Sequence, residues 1–217
     1  MIYKNILFDL DGTLTDPCVG IVNSLKYSLG KFNISESDDN KLKLFIGPPL
    51  IESFMRYYQF DSSTAKKAVD YYRECYSEKG IYENVLYNNI DILLTAITKN
   101  NINCFVATSK PQEFAIRILQ YFKINTYFKD IAGSDLDGTL SEKDKIIKLI
   151  LERNNLFKPE TIMIGDRKHD IIGAYKNNID SLAVMYGYGS KDELTEANPT
   201  YLCEDVMDIL EIINKRD

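Results

Sequence analysis

The chain has 217 residues, 45% hydrophobic and 27% charged, with enough apolar matter for a real core in one domain or two small ones. Its formal net charge is −6 and no long Lys/Arg run appears, which argues against a nucleic-acid partner. No apolar run approaches the roughly 18 residues of a membrane span. The N-terminus runs straight into a strand with acids at its end, unlike a secretory signal. The four cysteines (Cys18, Cys75, Cys104, Cys203) form no CxxC pair. Free thiols in a reducing cytoplasm, with neither a disulfide framework nor a zinc site, are expected.

The first predicted element is a buried strand ending in Ile6, Leu7 and Phe8. It stops at Asp9, and a second carboxylate follows at Asp11, then Gly12 and Thr13. An Asp/Gly pair after an apolar run commonly makes a plain turn. Two acids at the end of a buried strand, however, repel each other and lose hydration. They persist most easily with a cation between them or with chemistry to perform. A calcium-binding EF-hand loop is excluded, because Gly falls at its fourth position rather than its sixth.

From Thr15 to about Asn84 the periodicity is helical throughout, with no convincing strand. Ile21, Val22, Leu25, Leu29 and Phe32 place a helix over 19–32. A short helix is predicted over 38–45, broken by Gly47-Pro48-Pro49, with Pro49 opening the next at its first position. A fourth is predicted over 63–79. From Asn89 the pattern alternates. Helices are predicted over 89–100, 111–122, 143–155, 170–177 and 206–215. Strands are predicted over 103–107, 130–132, 161–164 and 181–184, with a possible short one at Tyr201 and Leu202. Three helices end alike, in Lys99-Asn100-Asn101-Ile102, Arg153-Asn154-Asn155-Leu156 and Lys176-Asn177-Asn178-Ile179. A cation suits the helix dipole there, an Asn can adopt the left-handed cap, and the apolar residue folds back. The expected architecture is α/β: a doubly wound, mostly parallel, Rossmann-like sheet (residues 1–14 and 85–217) with an inserted all-helical cap (residues 15–84).

Ligands of open parallel sheets bind at the carboxyl ends of the strands. The residues found there are Asp9, Asp11 and Thr13; then Thr108, Ser109 and Lys110; then Lys143 at a helix start; then Gly165-Asp166-Arg167-Lys168-His169-Asp170. Carboxylates, hydroxyls and a lysine at separate strand ends describe a site for a divalent cation and a phosphate. DLDGTL recurs at 135–140, letter for letter. The second copy follows Gly133-Ser134 rather than an apolar strand, so it reads as a loop with Asp137 and Gly138 shaping a turn.

In these motifs the chain resembles the haloacid dehalogenase-like hydrolases, in the phosphatase branch with a helical cap after the first motif. Asp9 to Thr13 match DxDGT, Thr108 the hydroxyl motif, Lys143 the lysine motif, and Gly165 to Asp170 GDxxxD, in that order across essentially the whole chain. Within the family it most resembles the phosphoglycolate phosphatase-like group, whose members also include 5′-nucleotidases. The resemblance implies that Asp9 is the nucleophile, forming an aspartyl-phosphate, and that Asp11 is the general acid and base. It implies Mg²⁺ held by Asp9, Asp166 and the Asp11 carbonyl, with Asp170 acting in an outer shell. It gives Thr108 a phosphoryl contact and Lys143 an electrostatic role, with Lys145 as rival. Gly12, Thr13, Ser109 and Lys110 are further substrate-side candidates, though Lys110 reads equally well as a solvated helix-start lysine. His169, Arg167, Tyr186, Tyr188 and, in the cap, Arg56 are assigned no catalytic step. The implied activity is hydrolysis of a small phosphorylated metabolite by a monomer or weak dimer. A sugar phosphomutase, a dehalogenase and a phospho-receiver or binding protein without turnover are the alternatives. A dehalogenase needs neither Asp11 nor Asp166, and a receiver usually lacks a helical insertion.

Overall fold

The structure is a computed structural model that describes residues 3–136 and 140–214. It divides into two compact units, Met1–Asp16 with Leu86–Asp217, and Pro17–Val85.

The first unit is built on a six-stranded parallel sheet. Its strands are β1 (Asn5–Phe8), β4 (Asn103–Pro111), β5 (Phe128–Ser134), β6 (Thr161–Gly165), β7 (Asp180–Val184) and β8 (Tyr201–Cys203). They lie in the order β5-β4-β1-β6-β7-β8. β1 is therefore central, with β4 and β6 on either side, and the strand order reverses across it. Leu7 aligns with Phe105 and Met163, so the three share one face; Ile6 and Phe8 lie on the other. All five are buried, which is why β1 reads as an unbroken apolar run rather than an alternation. On the Leu7 face a core forms with Ile146, Ile147 and Ile150 of α7 (Lys143–Arg153) and Ala174 of α8 (Lys168–Asn177). At the opposite end of the strands from the acids, Asn103 donates to Asn5 (2.8 Å) and Asn5 to Thr161 (3.4 Å), so this buried polar rung is satisfied.

The remaining helices of this unit are α5 (Ile90–Lys99), α6 (Gln112–Tyr121), α9 (Lys191–Glu196) and α10 (Val206–Asn214). The sequence reading lacked α9, whose six residues span too few turns to show a period. It also started α6 at Pro111. The strand β4 instead runs on through Thr108, Ser109 and Lys110, and Pro111 stands before the helix. The predicted end of α10 at Lys215 lies outside the described residues.

The second unit is helical: α1 (Cys18–Gly30), α2 (Asp39–Lys43), α3 (Leu50–Tyr58) and α4 (Ser62–Cys75), the last continuing into a π-turn over Tyr76–Gly80. Pro49 precedes α3 rather than opening it. Asp38 and Asp61 cap α2 and α4 by accepting from backbone N–H groups. Phe45 and Phe54 lie edge to face, 5.1 Å apart, at its centre. Two short strands, β2 (Thr15–Asp16) and β3 (Val85–Leu86), pair as a separate two-stranded sheet. Elements of two residues carry no periodicity, so the sequence reading missed both.

The three Asn-Asn endings behave alike. Asn101, Asn155 and Asn178 have φ of 58°, 49° and 55°, the left-handed region. The next residue folds back in each case, Ile102 onto the Ile97 carbonyl, Leu156 onto that of Leu151 and Ile179 onto that of Ala174. Asn178 is exposed, so its backbone conformation can be tested without disturbing the core. Asn178→Gly should leave stability unchanged or slightly higher in urea unfolding, whereas Asn178→Val should cost about 1–2 kcal/mol.

Candidate active site

Every cluster member comes from the carboxyl end of a central strand or the helix start beside it. Asp9 follows β1, and its Oδ1 accepts from the Leu10 backbone N–H (2.8 Å) and pairs with Lys143 Nζ (2.9 Å). Asp9 Oδ2 accepts no hydrogen bond from the described residues and is left available. Lys143 is the first residue of α7 and is buried. It also pairs with Asp170 Oδ1 (2.9 Å) and donates to the Ala107 carbonyl (3.0 Å). Burial works against its charge, but Asp170 and Asp9 outweigh that and raise its pKa, so it stays an ammonium ion.

Asp166 follows β6 and is fully buried. Its Oδ1 accepts from the Thr13 hydroxyl (3.4 Å) and its Oδ2 from the Tyr188 backbone N–H (2.8 Å). Asp170 Oδ2 accepts from the Arg167 backbone N–H (3.0 Å), which closes the first turn of α8. Oxygens of Asp9, Asp166 and Asp170 all lie within 4.8 Å of one another. Burial, and then the neighbouring Asp170 and Asp9 charges, raise the Asp166 pKa well above the carboxylate range. Burial first, with Asp9 adding to it, raises that of Asp170 to about 6 despite Lys143. Three carboxylates this close and this dry make a donor set that fits a hard divalent cation.

Asp11 faces Lys110 instead. Lys110 Nζ lies 2.5 Å from Asp11 Oδ2, with both side chains largely buried. The solvated-lysine reading of Lys110 is thereby corrected: the extended β4 carries it inward. Burial raises the Asp11 pKa, and the Lys110 charge opposes the rise. Thr108 is buried, and its Oγ1 accepts from the Lys110 backbone N–H (3.2 Å), leaving its hydroxyl proton to donate. Ser109 is half-buried.

Gly12 has φ of 85°, and a Cβ there would overlap the Asp166 carboxylate. The motif glycine therefore lets the two loops touch. Lys145 does not join the cluster; it pairs with Glu142 in solvent. His169 is exposed, and Arg167 pairs with Glu193 (2.9 Å). Arg56 lies over the Tyr57 ring of the second unit. Of the second DLDGTL copy, Asp135 N–H donates to the Leu140 carbonyl (3.3 Å), while Asp137 and Gly138 lie outside the described residues. The sequence reading undervalued the loop after β7. Besides the Tyr188 N–H bond to Asp166, the Tyr186 hydroxyl donates to the Thr13 carbonyl (2.9 Å), and the Tyr188 hydroxyl binds Asp16. The Tyr-Gly-Tyr-Gly spacing just past a strand end was the available signal, since Gly187 sits where a Cβ would overlap Asp166.

Residues 6–184 match the profile of the haloacid dehalogenase-like hydrolases. The chain belongs to that family. A curated 5′-nucleotidase of Pseudomonas aeruginosa is 44% identical over 211 residues, covering 97% of this chain and 96% of that one. Tyrosine-protein kinase PtkA of Mycobacterium tuberculosis is 34% identical over 195 residues, 90% of this chain and 66% of its own. A phosphoglycolate phosphatase of Vibrio parahaemolyticus is 25% identical over 218 residues, 97% and 96% of the two. Among solved structures, a protein described as a predicted phosphatase from Clostridium acetobutylicum superposes with a TM-score of 0.94 at 47% identity, covering 98% of this chain and 99% of that one.

Gly12→Ala should force the Asp166 carboxylate aside and strain the left-handed backbone at once. We expect a loss of more than about 1 kcal/mol in denaturant unfolding. We also expect a divalent cation to raise the melting temperature of the parent protein and not that of the variant.

Proposed function

We propose that this chain is a Mg²⁺-dependent phosphatase that hydrolyses a small phosphomonoester through an aspartyl-phosphate on Asp9. The observation that carries this reading is the pairing pattern of the site. Among the described residues, Asp9, Asp11, Asp166 and Asp170 share two buried lysines, Lys110 and Lys143, so carboxylates there outnumber ammonium groups by two. A bound divalent cation would balance that excess, and it fits the oxygen cluster of Asp9, Asp166 and Asp170. When bound, it would screen the anionic phosphate from the anionic nucleophile.

The chain's own groups account for the rest. Asp9 Oδ2, which accepts no hydrogen bond from the described residues, attacks phosphorus, while Lys143 holds Oδ1 and neutralises charge on the phosphoryl group. Thr108 donates its hydroxyl proton to a phosphoryl oxygen. Asp11 gives its proton to the leaving oxygen and then takes one from the water that cleaves the Asp9–phosphoryl bond. Thr13 and the Tyr188 N–H orient Asp166, and Arg167 N–H orients Asp170. Residues 15–84 are proposed as the cap over a core of residues 1–14 and 85–217, a division supported by the two compact units.

Relatives named 5′-nucleotidase and phosphoglycolate phosphatase point to a nucleoside 5′-monophosphate and to phosphoglycolate as substrates. The higher identity to the Pseudomonas aeruginosa enzyme favours the nucleotide. We propose that the enzyme is cytoplasmic, in keeping with its free cysteines, and a monomer or weak dimer. No helix among the described residues is long and apolar enough to cross a membrane.

The test is release of inorganic phosphate from a panel of phosphomonoesters in the presence of Mg²⁺. Nucleoside 5′-monophosphates should outrank phosphoglycolate in kcat/KM, EDTA should abolish turnover and Mg²⁺ restore it. Asp9→Asn should lower kcat by about 10³-fold or more. Native-rate release by that variant would overturn the nucleophile's assignment, and transfer only to an acceptor other than water would make the chain a phosphotransferase.

A further inference from the structure

We propose that Glu193 is a positioning residue for the carboxylate cluster, pinning the backbone between Asp166 and Asp170 so that the cluster favours the small, octahedral Mg²⁺ over the larger Ca²⁺. The inference rests on the cation-binding part of the reading above and adds to it the residue that sets the cation preference.

Asp166 and Asp170 are separated by Arg167, Lys168 and His169 alone, so the backbone of these residues sets how the two carboxylates face each other. Arg167 is extended, and Lys168 opens α8. A Cβ on Gly165 would overlap the Asp170 carboxylate, which leaves no slack on the strand side of this turn. Glu193 holds its outer side. Glu193 Oε1 accepts from Arg167 Nε (2.9 Å) and from the Lys168 backbone N–H (3.0 Å), and Oε2 accepts from Arg167 Nη2 (3.3 Å). The Lys168 N–H is a helix-start donor with no acceptor of its own within the helix ladder. One carboxylate from another element thus fixes two consecutive residues lying between two acids of the cluster.

The local structure is shaped to deliver this carboxylate. α9 has six residues, too few to hold a helix by propensity. Its start is capped by the Ser190 hydroxyl oxygen, which accepts from the Glu193 backbone N–H (3.1 Å). Leu194, the next residue, is fully buried against Ile171 of α8 and Ala183 of β7. The direction of Glu193 is therefore set by a cap on one side and an apolar anchor on the other. Just before α9, a Cβ on Gly189 would overlap the Asp166 carbonyl, so the same segment also presses on the residue that opens the turn. An ion pair that served only stability would need neither the backbone contact at Lys168 nor so fixed a seat.

Cations differ in how much a loosened turn costs them. Mg²⁺ demands near-ideal octahedral geometry with oxygens at about 2.0–2.1 Å, whereas Ca²⁺ accepts about six to eight oxygens at longer and more variable distances. Drift of Asp170 against Asp166 therefore penalises Mg²⁺ more than Ca²⁺. The two ions carry the same charge, so removing the negative charge of Glu193 acts on both alike. The ratio of the two affinities consequently reads the geometry of the cluster and cancels the electrostatics.

The experiment measures Mg²⁺ and Ca²⁺ binding by isothermal titration calorimetry to the metal-free parent protein, Glu193→Ala, Glu193→Gln and Tyr3→Phe, with thermal unfolding to check that each is folded. Tyr3→Phe removes a buried hydroxyl that donates to Asp180 (2.6 Å) at the far end of the sheet, and so weakens the same unit away from the cluster. Glu193→Ala should lose about tenfold or more in Mg²⁺ affinity and much less in Ca²⁺ affinity. Glu193→Gln keeps an acceptor oxygen for the Arg167 Nε and Lys168 N–H groups and should stay close to the parent ratio, as should Tyr3→Phe. Glu193→Asp, which keeps the charge but falls short by one methylene, should behave as Glu193→Ala does and replaces it if the alanine variant is unfolded. Unchanged Mg²⁺ binding in Glu193→Ala, equal loss of both cations, a glutamine variant as impaired as the alanine one, or a shifted ratio in Tyr3→Phe each overturns the proposal alone. A parent protein that binds neither cation overturns the metal site and this proposal with it. The expected binding pattern without phosphate release from any phosphomonoester overturns the phosphatase reading and leaves the role of Glu193 standing.

Discussion

Lys143 stands between Asp9 and Asp170 at 2.9 Å from each, and the rest of the site depends on that contact. Asp166 adds a third carboxylate to a cluster within 4.8 Å and is fully buried. Without a cation among them, like charges at this separation in a dry environment would drive protonation or local unfolding. One ammonium compensates only part of the excess; burial first, with neighbouring carboxylate charge adding to it, raises the pKa values of Asp166 and Asp170. Such a site is poised to take up positive charge, which is what binding a divalent cation would supply.

The sheet explains how residues so far apart in sequence meet. β1 is central, β4 and β6 flank it in parallel, and all three end on the same side, so Asp9, Thr108 and Asp166 arrive together without any loop reaching across. Lys143 comes from the start of a helix packed on the same face as Leu7 and Met163. The apolar residues that bury these strands thus also set the spacing of the acids. A change in the core that shifted β1 against β6 would be felt first at the Asp9–Asp166 separation.

Much of this was legible in the sequence, for reasons that differ by residue. Asp9, Asp11 and Asp166 announce themselves because an apolar strand that stops on a carboxylate is costly without a purpose. The Asn-Asn helix endings were legible because asparagine is among the few residues that tolerate the left-handed conformation. Lys143 and Lys145 were harder to separate: they lie two apart on one helix, and only the packing of α7 shows that the first turns inward while the second reaches Glu142. The loop after β7 was undervalued because its main service to Asp166 is a backbone N–H at Tyr188, and a backbone group leaves no mark on residue type. The solvated alternative for Lys110 arose because Pro111 suggested a helix start, where the strand in fact continues.

That continuation separates two acids that lie only two residues apart. Had β4 ended at Ala107, both Asp9 and Asp11 would compete for Lys143, and nothing in the charge pattern would distinguish a nucleophile from an acid. With Lys110 drawn in, each acid has its own ammonium and keeps one oxygen free of it: Oδ2 on Asp9 and Oδ1 on Asp11. In the proposed roles the nucleophile must be ionised to attack, so it gains from a lysine that a second carboxylate, Asp170, also holds in its charged form. The proposed acid must gain and lose a proton each cycle, and at Asp11 burial is opposed by the Lys110 charge, a balance that either change of charge can tip. Separate lysines on Asp9 and Asp11 are therefore a physical basis for two aspartates of one short loop to take the two proposed roles.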